Sequence, residues 1–143
     1  MDIVIREIEK KDYPNVLSLW NNELNCNYNV EDVVAYYERV KTDERYKTFV
    51  ALFNDEVVGL ISSVWSYEIG CEVGFMHIVA LAVKTEKHNN GIGTKLIKHI
   101  ENYATEKRIK NIILNTGIQH TEAHAFYKSN GYENHSWCFN KKL

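Results

Sequence analysis

The stretch at residues 81–95 constrains the fold of this chain more than any other. An apolar, strand-like run ends at Val83, and the polar loop after it lacks large apolar side chains. A helical pattern of apolar residues then opens at Gly91. The stretch therefore predicts a strand, a loop and a helix, with Gly91 and Gly93 at the step from loop to helix.

The glycines at this step predict an anion site. The first N–H groups of a helix have no partner within it and lie at the positive end of its dipole, so they attract phosphate oxygens. Gly91 and Gly93 have no Cβ, which lets a diphosphate approach the main chain. The order Gly-Ile-Gly-Thr-Lys excludes a Walker loop. Leu96 stands where a Rossmann fingerprint needs its third glycine, so that nucleotide site is excluded too.

The spacing resembles the acetyl-CoA-binding segment of the GNAT superfamily of N-acetyltransferases. That segment has the pattern Val-x-Pro-x-x-Gln/Arg-x-x-Gly-x-Gly/Ala at the end of a central strand, and the chain matches its spacing from Val83 to Gly93. Thr85 replaces the Pro, and His88 replaces Gln or Arg. Since that Pro mainly stiffens the loop, Thr85 is expected to matter little. His88 can still donate to a phosphate, although weakly when its ring is neutral.

A second segment, residues 120–132, resembles the C-terminal GNAT motif Asn/Arg-x-x-Ala-x-x-Phe-Tyr-x-x-x-Gly-Phe/Tyr. The positions that match are Ala123, Phe126, Tyr127, Gly131 and Tyr132. His120 departs from the motif. Small Ala123 lets the helix approach a cofactor, and Gly131 suits the left-handed conformation that ends a helix.

The resemblance implies how acetyl-CoA is held. The main-chain amides from about Asn89 to Thr94 grip the pyrophosphate, and Val83 holds the pantetheine arm like an added strand. The cofactor-binding residues that it implies are Leu81, Ala82, Val83, His88, Asn89, Asn90, Gly91, Ile92, Gly93, Thr94, His120, Ala123 and Tyr127.

In the GNAT pattern the first two helices and the loop between them form part of the acceptor site. The candidates to contact the substrate are Trp20, Glu23, Asn25, Tyr28, Tyr36 and Tyr37. Core packing is the alternative for Trp20 and for one or both of the tyrosines, and the identity of the acceptor is left open.

Transfer of an acetyl group from a thioester to an amine also requires proton transfers. An amine with a lysine-like pKa of about 10.4 needs roughly 4 to 5 kcal/mol to lose its proton at pH 7, which a base or a desolvating site can offset. The oxyanion needs donors, which the main chain around residues 81–83 can provide. By resemblance, Tyr127 is the general acid that protonates the leaving thiolate.

The general base is left open by the sequence. Many family members have Glu at the position of Val79, where this chain has no acid. His77 shares strand parity with Val79 and is the catalytic alternative, since its ordinary pKa suits a base. A structural histidine, Glu72, Glu23 or a water relay without a single base are the other interpretations.

Composition excludes several classes of protein. The chain of 143 residues is expected to form one domain, residues 1–143. It has no run of apolar residues long enough to span a bilayer and no signal-peptide pattern, so a cytoplasmic protein is expected. Cys26, Cys71 and Cys138 lie at wide spacings, which predicts free thiols rather than disulfides or a metal site.

Charge is distributed unevenly along the chain. Residues 1–83 carry seven Lys/Arg against fourteen Asp/Glu, whereas residues 84–110 carry seven against three. The basic block suits the phosphates of CoA, and the acidic block favours a cationic amine as acceptor. The net charge of −2 and the lack of a basic and aromatic stripe argue against a nucleic-acid binder.

Hydrophobic periodicity predicts the element order β-α-α-β-β-β-α-β-α-β, which is typical of a mixed α/β sheet and is also the GNAT order. The resemblance to that family implies a mostly antiparallel sheet with helices on both faces. The first strand is marked by Ile3, Ile5 and Ile8, and Asp12 is expected to cap the next helix, with Pro14 in its first turn. The other predicted elements are a helix at 30–40, strands at 46–53, 57–65 and 72–83, a helix at 91–107, a strand at 111–116, a helix at 120–129 and a last strand at 132–139.

The sequence thus predicts an N-acetyltransferase that transfers the acetyl group of acetyl-CoA to a primary amine of a small molecule or peptide. A non-catalytic acyl-CoA-binding regulatory domain is the alternative, because Val79 stands where many relatives have an acid. A homodimer is common in the family, and the residues argue neither for nor against one.

Overall fold

The structure, a computed structural model, describes the backbone of residues 1–143 and every side chain except that of Cys71. The strands are β1 (Val4–Glu7), β2 (Tyr46–Phe53), β3 (Glu56–Glu68), β4 (Cys71–Val83) and β5 (Ile112–Leu114). The helices are α1 (Tyr13–Glu23), α2 (Val30–Val40), α3 (Ile92–Glu106) and α4 (Thr121–Ser129). The chain forms two compact units, residues 1–113 and residues 114–143.

The strands form one sheet in the order β1-β2-β3-β4-β5. Its first four strands pair antiparallel. The turn between β2 and β3 is Asn54-Asp55, whose φ angles are 51° and 63°. Asn and Asp tolerate such left-handed angles, which a two-residue hairpin turn requires, so the predicted hairpin is confirmed.

Helices α1 and α2 cover one face of the sheet. Val50, Leu60 and Ala82 lie side by side on neighbouring strands. They are buried together with Leu19 of α1 and Val33 of α2. Burial of these apolar side chains is the main source of stability for this layer.

Helix α3 covers the opposite face. Phe49 neighbours Val50 on β2, so its side chain points away from α1 and α2. Its ring contacts that of His99 on α3, with 4.5 Å between centroids. A Cβ on Gly59 would lie 3.1 Å from Leu96 Cδ1, so the glycine lets α3 approach the sheet closely. The predicted arrangement of helices on both faces is therefore confirmed.

Two local predictions are wrong. Asp12 precedes α1 but makes no side-chain cap bond. Its carboxylate instead accepts from both terminal nitrogens of Arg6, at 2.7 and 2.9 Å, and from the Glu9 N–H at 2.8 Å. The predicted strand at 132–139 is also absent, since residues 132–143 have no regular secondary structure. Within residues 114–143 only Leu114 belongs to a strand, so this unit has no ladder on which that segment could pair.

The other elements lie close to their predicted positions. Helix α2 has the predicted bounds, β3 is longer at both ends, and β5 is shorter than the segment 111–116. No helix in the described chain combines the length and apolar character needed to cross a bilayer.

Candidate functional site

The β4–α3 loop, residues 84–91, connects the end of the long strand β4 to the first turn of α3. A single turn of 3-10 helix at Thr85–Lys87 follows the strand. The Asn90 side chain then donates to the carbonyls of Lys87 and His88, at 3.1 Å each. Gly91 precedes α3 with a φ of 74°, a left-handed angle that favours glycine. The loop is thus shaped by its own polar groups.

The loop and the first turn of α3 present a group of unpaired donors. The N–H groups of residues 89–94 donate to no atom of the described chain, and the first that does is that of Lys95, to the Gly91 carbonyl at 3.0 Å. A Cβ placed on Gly91 would meet no atom within 4 Å, so the space beside it is open. The positive end of the α3 dipole lies at these amides, which makes them suited to an anion.

The last residues of β4 have one edge beyond the reach of a neighbouring strand. On one side β3 pairs with β4 as far as Val83, opposite Gly59. On the other side the Met76 N–H donates to the Asn111 carbonyl at 3.0 Å, and β5 continues for only three residues after Asn111. Whether β5 runs parallel or antiparallel to β4, three residues counted from the bond at Met76 do not reach residues 81–83. That edge could accept an extended ligand as an added strand.

His88 bonds within the loop. Its Nε2 lies 2.9 Å from the Val83 carbonyl oxygen, and the side chain is exposed. This bond ties the two ends of the turn together, so one ring nitrogen of His88 is occupied. Its role as a phosphate ligand stays a prediction.

The basic residues of this region differ in their surroundings. Lys84 forms an ion pair with Glu56, and the Lys87 ammonium lies 4.8 Å from the centre of the Phe53 ring. Lys95 is exposed in the first turn of α3. Lys95 is therefore the lysine best placed to add positive charge beside the unpaired amides.

Residues 24–29 connect α1 to α2 and are called the acceptor loop here, after the role that the sequence predicts for them. The Asn21 side chain donates to the Tyr28 carbonyl and accepts from the Tyr28 N–H, both at 2.9 Å. The ring of Trp20 contacts that of Tyr28 edge-on, with 6.3 Å between centroids. Asn25 is exposed and has a φ of 56°. The structure therefore brings Trp20 and Tyr28 together at one end of the loop.

Glu23 contacts the β4–α3 loop. The N–H and the hydroxyl of Thr85 donate to the two oxygens of the Glu23 carboxylate, at 3.2 and 2.8 Å. The sequence ascribed no role to Thr85, because the contact joins residues far apart in the chain.

A β-bulge interrupts β4 at Val79. Ser62 pairs with Ala80 and Ser63 pairs with Ile78, so Val79 has no partner on β3 and is 45% exposed. Such an extra residue shifts the alternation of side chains along a strand. The bulge was not predicted, because its signal is a pairing between strands rather than a pattern within one.

The bulge also places His77. His77 lies opposite Val64, and Ala80 lies opposite Ser62. Since Ser62 and Val64 alternate onto the same face of β3, His77 lies on the face of Ala80, which α1 and α2 cover. The prediction that His77 and Val79 face the same side of the sheet assumed regular alternation, which the bulge interrupts. Burial lowers the pKa of the His77 imidazole below its ordinary value.

A chain of buried hydroxyl groups lies beneath α2 on the same face. The Tyr37 hydroxyl donates to Thr48 Oγ1 at 3.2 Å, and Thr48 Oγ1 lies 2.9 Å from Ser62 Oγ. Burial raises the pKa of Tyr37 to about 12. Sequence reasoning missed this chain, although hydroxyl residues within apolar strands were a visible signal.

Residues 114–143 hold the second motif. His120 precedes α4 without a side-chain cap bond and is exposed, and Ala123 is partly buried. Tyr127 is also partly buried, and burial raises the pKa of its phenol. Gly131 has a φ of 89°, so the predicted left-handed end of the helix is confirmed.

Comparison with known proteins gives consistent matches to one family. The model of the acetyltransferase (GNAT) family matches residues 5–132. An uncharacterized N-acetyltransferase of Methanocaldococcus jannaschii is 32% identical over 130 residues, which are 89% of this chain and 66% of that protein. The aminoalkylphosphonate N-acetyltransferase of Salmonella typhimurium is 31% identical over 94 residues, 66% of this chain and 61% of that protein. The chain thus spans about two thirds or less of the length of these relatives.

A solved structure shows the same fold. An aminoglycoside acetyltransferase from an uncultured soil metagenomic sample superposes with a TM-score of 0.86 at 24% identity, over 99% of this chain and 96% of that one. The family match extends over nearly the whole chain, and the mixed sheet with helices on both faces agrees with it. This protein is a member of the GNAT family of acetyltransferases.

Proposed function

We propose that this protein transfers the acetyl group of acetyl-CoA to a primary amine of a small molecule or a peptide. The observation that carries the proposal is the row of unpaired amides at residues 89–94, which follows the open edge of β4. This combination suits a ligand with an extended amide-containing arm and a diphosphate. CoA has both.

The residues present fit this ligand. The amides of residues 89–94 would hold the diphosphate, with Gly91 setting the turn and Lys95 adding charge. The edge at residues 81–83 would bind the pantetheine arm. His120 and Ala123 of the second motif are cofactor-binding candidates by the family pattern alone.

A small cationic amine suits the acceptor side. The first 83 residues carry fourteen Asp/Glu against seven Lys/Arg, which attracts cations. The names of two similar proteins point to amine acceptors, since one acts on aminoalkylphosphonates and a structural neighbour on aminoglycosides. Only the aminoglycosides are net cations, because a phosphonate is anionic. Trp20, Asn25 and Tyr28 are proposed to contact the amine, and Glu23 is proposed to lie beside them, since both of its carboxylate oxygens accept from Thr85.

Two side chains are proposed to transfer the protons of the reaction. The raised pKa of Tyr127 keeps its phenol protonated at neutral pH, so it can act as general acid towards the leaving sulfur. The lowered pKa of His77 favours its neutral imidazole, which is the form that accepts a proton. Because the bulge removes the parity with Val79 that made His77 the candidate, its role as base stays a prediction. Acetyl-CoA supplies the thioester, and main-chain donors near residues 81–83 would stabilise the oxyanion.

Release of CoA thiol tests the proposal. Acetyl-CoA is mixed with the protein and a panel of aminoalkylphosphonates, aminoglycosides and peptides with a free N-terminus. Turnover on at least one amine is expected, with a loss of about 100-fold in Tyr127→Phe because a general acid contributes at least this much. Tyr103→Phe is the control, since the Tyr103 hydroxyl donates to the Glu44 carbonyl at 3.4 Å.

One observation favours the second candidate, a regulatory domain that binds acyl-CoA without turnover. Val79 is apolar and exposed at the bulge, where many family members have a carboxylate. Tight binding of acetyl-CoA without thiol release on any amine of the panel would support this candidate and contradict the first.

A further inference from the structure

The contact between Glu23 and Thr85 connects two regions that the chain separates by 62 residues. The Thr85 N–H donates to one carboxylate oxygen of Glu23 at 3.2 Å, and the Thr85 hydroxyl donates to the other at 2.8 Å. Because the N–H and the hydroxyl of Thr85 both donate, the contact fixes the orientation of Thr85 as well as its distance from Glu23.

Glu23 stands where a carboxylate is electrostatically unfavourable. It is the last residue of α1, whose last turn has no basic residue. The final carbonyls of a helix form the negative end of its dipole, which repels an anion. The two donors of Thr85 offset this repulsion. The carboxylate therefore depends on the β4–α3 loop for its partners.

Thr85 is also the residue at which this chain departs from the family pattern. Proline, the usual residue there, has neither an N–H nor a hydroxyl, so it could make neither bond. The departure that the sequence suggested to be of little effect supplies both donors of the contact.

The contact closes the acceptor loop at one end. The other end is held by Asn21, which bonds to the backbone of Tyr28 in both directions at 2.9 Å. On the other side of the contact, Thr85 begins the 3-10 turn that leads to the amides of residues 89–94. The contact thus lies between the loop proposed to hold the amine and the loop proposed to hold the diphosphate.

We propose that Glu23 is a positioning residue that couples the two loops. When CoA orders the β4–α3 loop, the bonds from Thr85 to Glu23 order residues 24–29, so that the amine binds more tightly to the CoA-bound protein. By linkage, bound amine strengthens the binding of CoA by the same factor. This inference rests on the proposed function in that the β4–α3 loop must bind CoA.

Hydrogen exchange with and without CoA tests the coupling and needs no known acceptor. The reporter is the Tyr28 amide, which donates to Asn21 Oδ1. In the unmodified protein, saturating CoA is expected to slow its exchange about fivefold, the lower end of common coupling factors. Thr85→Ser keeps both donors and should behave in the same way.

Two variants should lose the coupling. Thr85→Pro removes both donors, and Glu23→Gln removes the charge and one acceptor. Calorimetry is expected to show that each binds CoA within about threefold of the unmodified protein, because the amides at 89–94 are unchanged. Exchange of the Tyr28 amide should then be the same with and without CoA.

The outcomes separate the two proposals. If CoA binds and slows exchange equally in Thr85→Pro and the unmodified protein, the coupling is wrong and the proposed function stands. If the unmodified protein does not bind CoA, the proposed function is wrong, and the coupling is wrong with it. Thr85→Val, which lacks only the hydroxyl, replaces Thr85→Pro if the latter does not fold, and should lose at least part of the slowing.

Discussion

The β4–α3 loop and the acceptor loop meet at Glu23 and Thr85, but they are built from different parts of the chain. The first presents main-chain amides at residues 89–94, arranged by the left-handed Gly91. The second presents side chains, with the Trp20 and Tyr28 rings in edge contact. Main-chain donors are the same in every residue but proline, whereas side chains set the shape and charge of a site.

This difference explains why one loop predicts its ligand and the other does not. A site of amides requires particular spacings and glycines, so a sequence shows it directly. A site of side chains can change one residue at a time without altering the fold, so the same fold accepts different amines. On the proposed function, the first region would determine cofactor binding and the second would determine which amine is accepted.

The largest effect in this comparison is expected at His77. His77→Gln removes the proposed base and should lower kcat/KM for the amine by about 100-fold while leaving CoA affinity unchanged. In the unmodified protein kcat/KM should fall as the pH drops through the lowered pKa of His77, below the ordinary value of 6.5. That limb of the pH profile should disappear in the variant, and an unchanged profile would exclude His77 as the base.

A smaller effect is expected at the main-chain site. Gly91→Ala forces a side chain into a φ of 74°, at a cost of about 1 to 3 kcal/mol. Calorimetry should show CoA affinity weakened by about tenfold, the equivalent of 1.4 kcal/mol. Gly70→Ala is the matched control, because Gly70 has a φ of 85° and equally open surroundings. If both variants weaken CoA binding equally, the loop at Gly91 does not hold the cofactor.

The bulge predicts that a charged side chain is tolerated at position 79. Val79→Glu should change the free energy of unfolding by no more than about 0.5 kcal/mol, since its side chain is exposed and has no partner on β3. Its neighbour Ile78 is 4% exposed, so Ile78→Glu should destabilise the protein by about 3 kcal/mol or more. Urea unfolding measures the free energy of unfolding of both variants. If Val79→Glu and Ile78→Glu lower it by similar amounts, the bulge does not make position 79 tolerant of a charge.

The smallest effect is on the pH dependence of stability. Burial lowers the pKa of His99, on the α3 face, as it does that of His77. The folded chain then binds fewer protons than the unfolded one, so this contribution to stability is complete above pH 6.5 and decreases as the pH falls towards the folded-state values. Urea midpoints from pH 8 to 5 should show a decline that is shallower in His99→Gln. If the midpoints of His99→Gln and the unmodified protein decline equally, His99 does not contribute to the pH dependence of stability.

Local patterns predicted most of the fold. The apolar period of α2 gave its bounds, the Asn54-Asp55 pair identified the hairpin, and the glycine at 131 marked the end of α4. Each of these depends on residues adjacent in sequence. The same holds for the main-chain donors after β4, which are implied by a strand that runs into a glycine and a helix.

The errors and omissions depend on distant partners. Asp12 was expected to cap a helix, but Arg6 of the first strand competes for its carboxylate. The bulge at Val79 depends on the register with β3, and the bonds of Thr85 depend on where α1 ends. The proposed cofactor side depends on local spacing and glycines, whereas the bulge at Val79 and the partner of Thr85 depend on contacts between distant segments. The sequence therefore predicts the proposed cofactor side better than the proposed acceptor side.

The hydroxyl chain from Tyr37 through Thr48 to Ser62 limits how α2 can move. Apolar side chains would let a helix slide across a sheet by small steps, whereas buried hydrogen bonds are directional and cost about 1 to 3 kcal/mol when one group loses its partner. These hydrogen bonds therefore hold α2 at one position relative to the sheet. On the proposed function, a wider or narrower amine would be accommodated by exchanging exposed side chains such as Tyr36 rather than by shifting the helix as a whole.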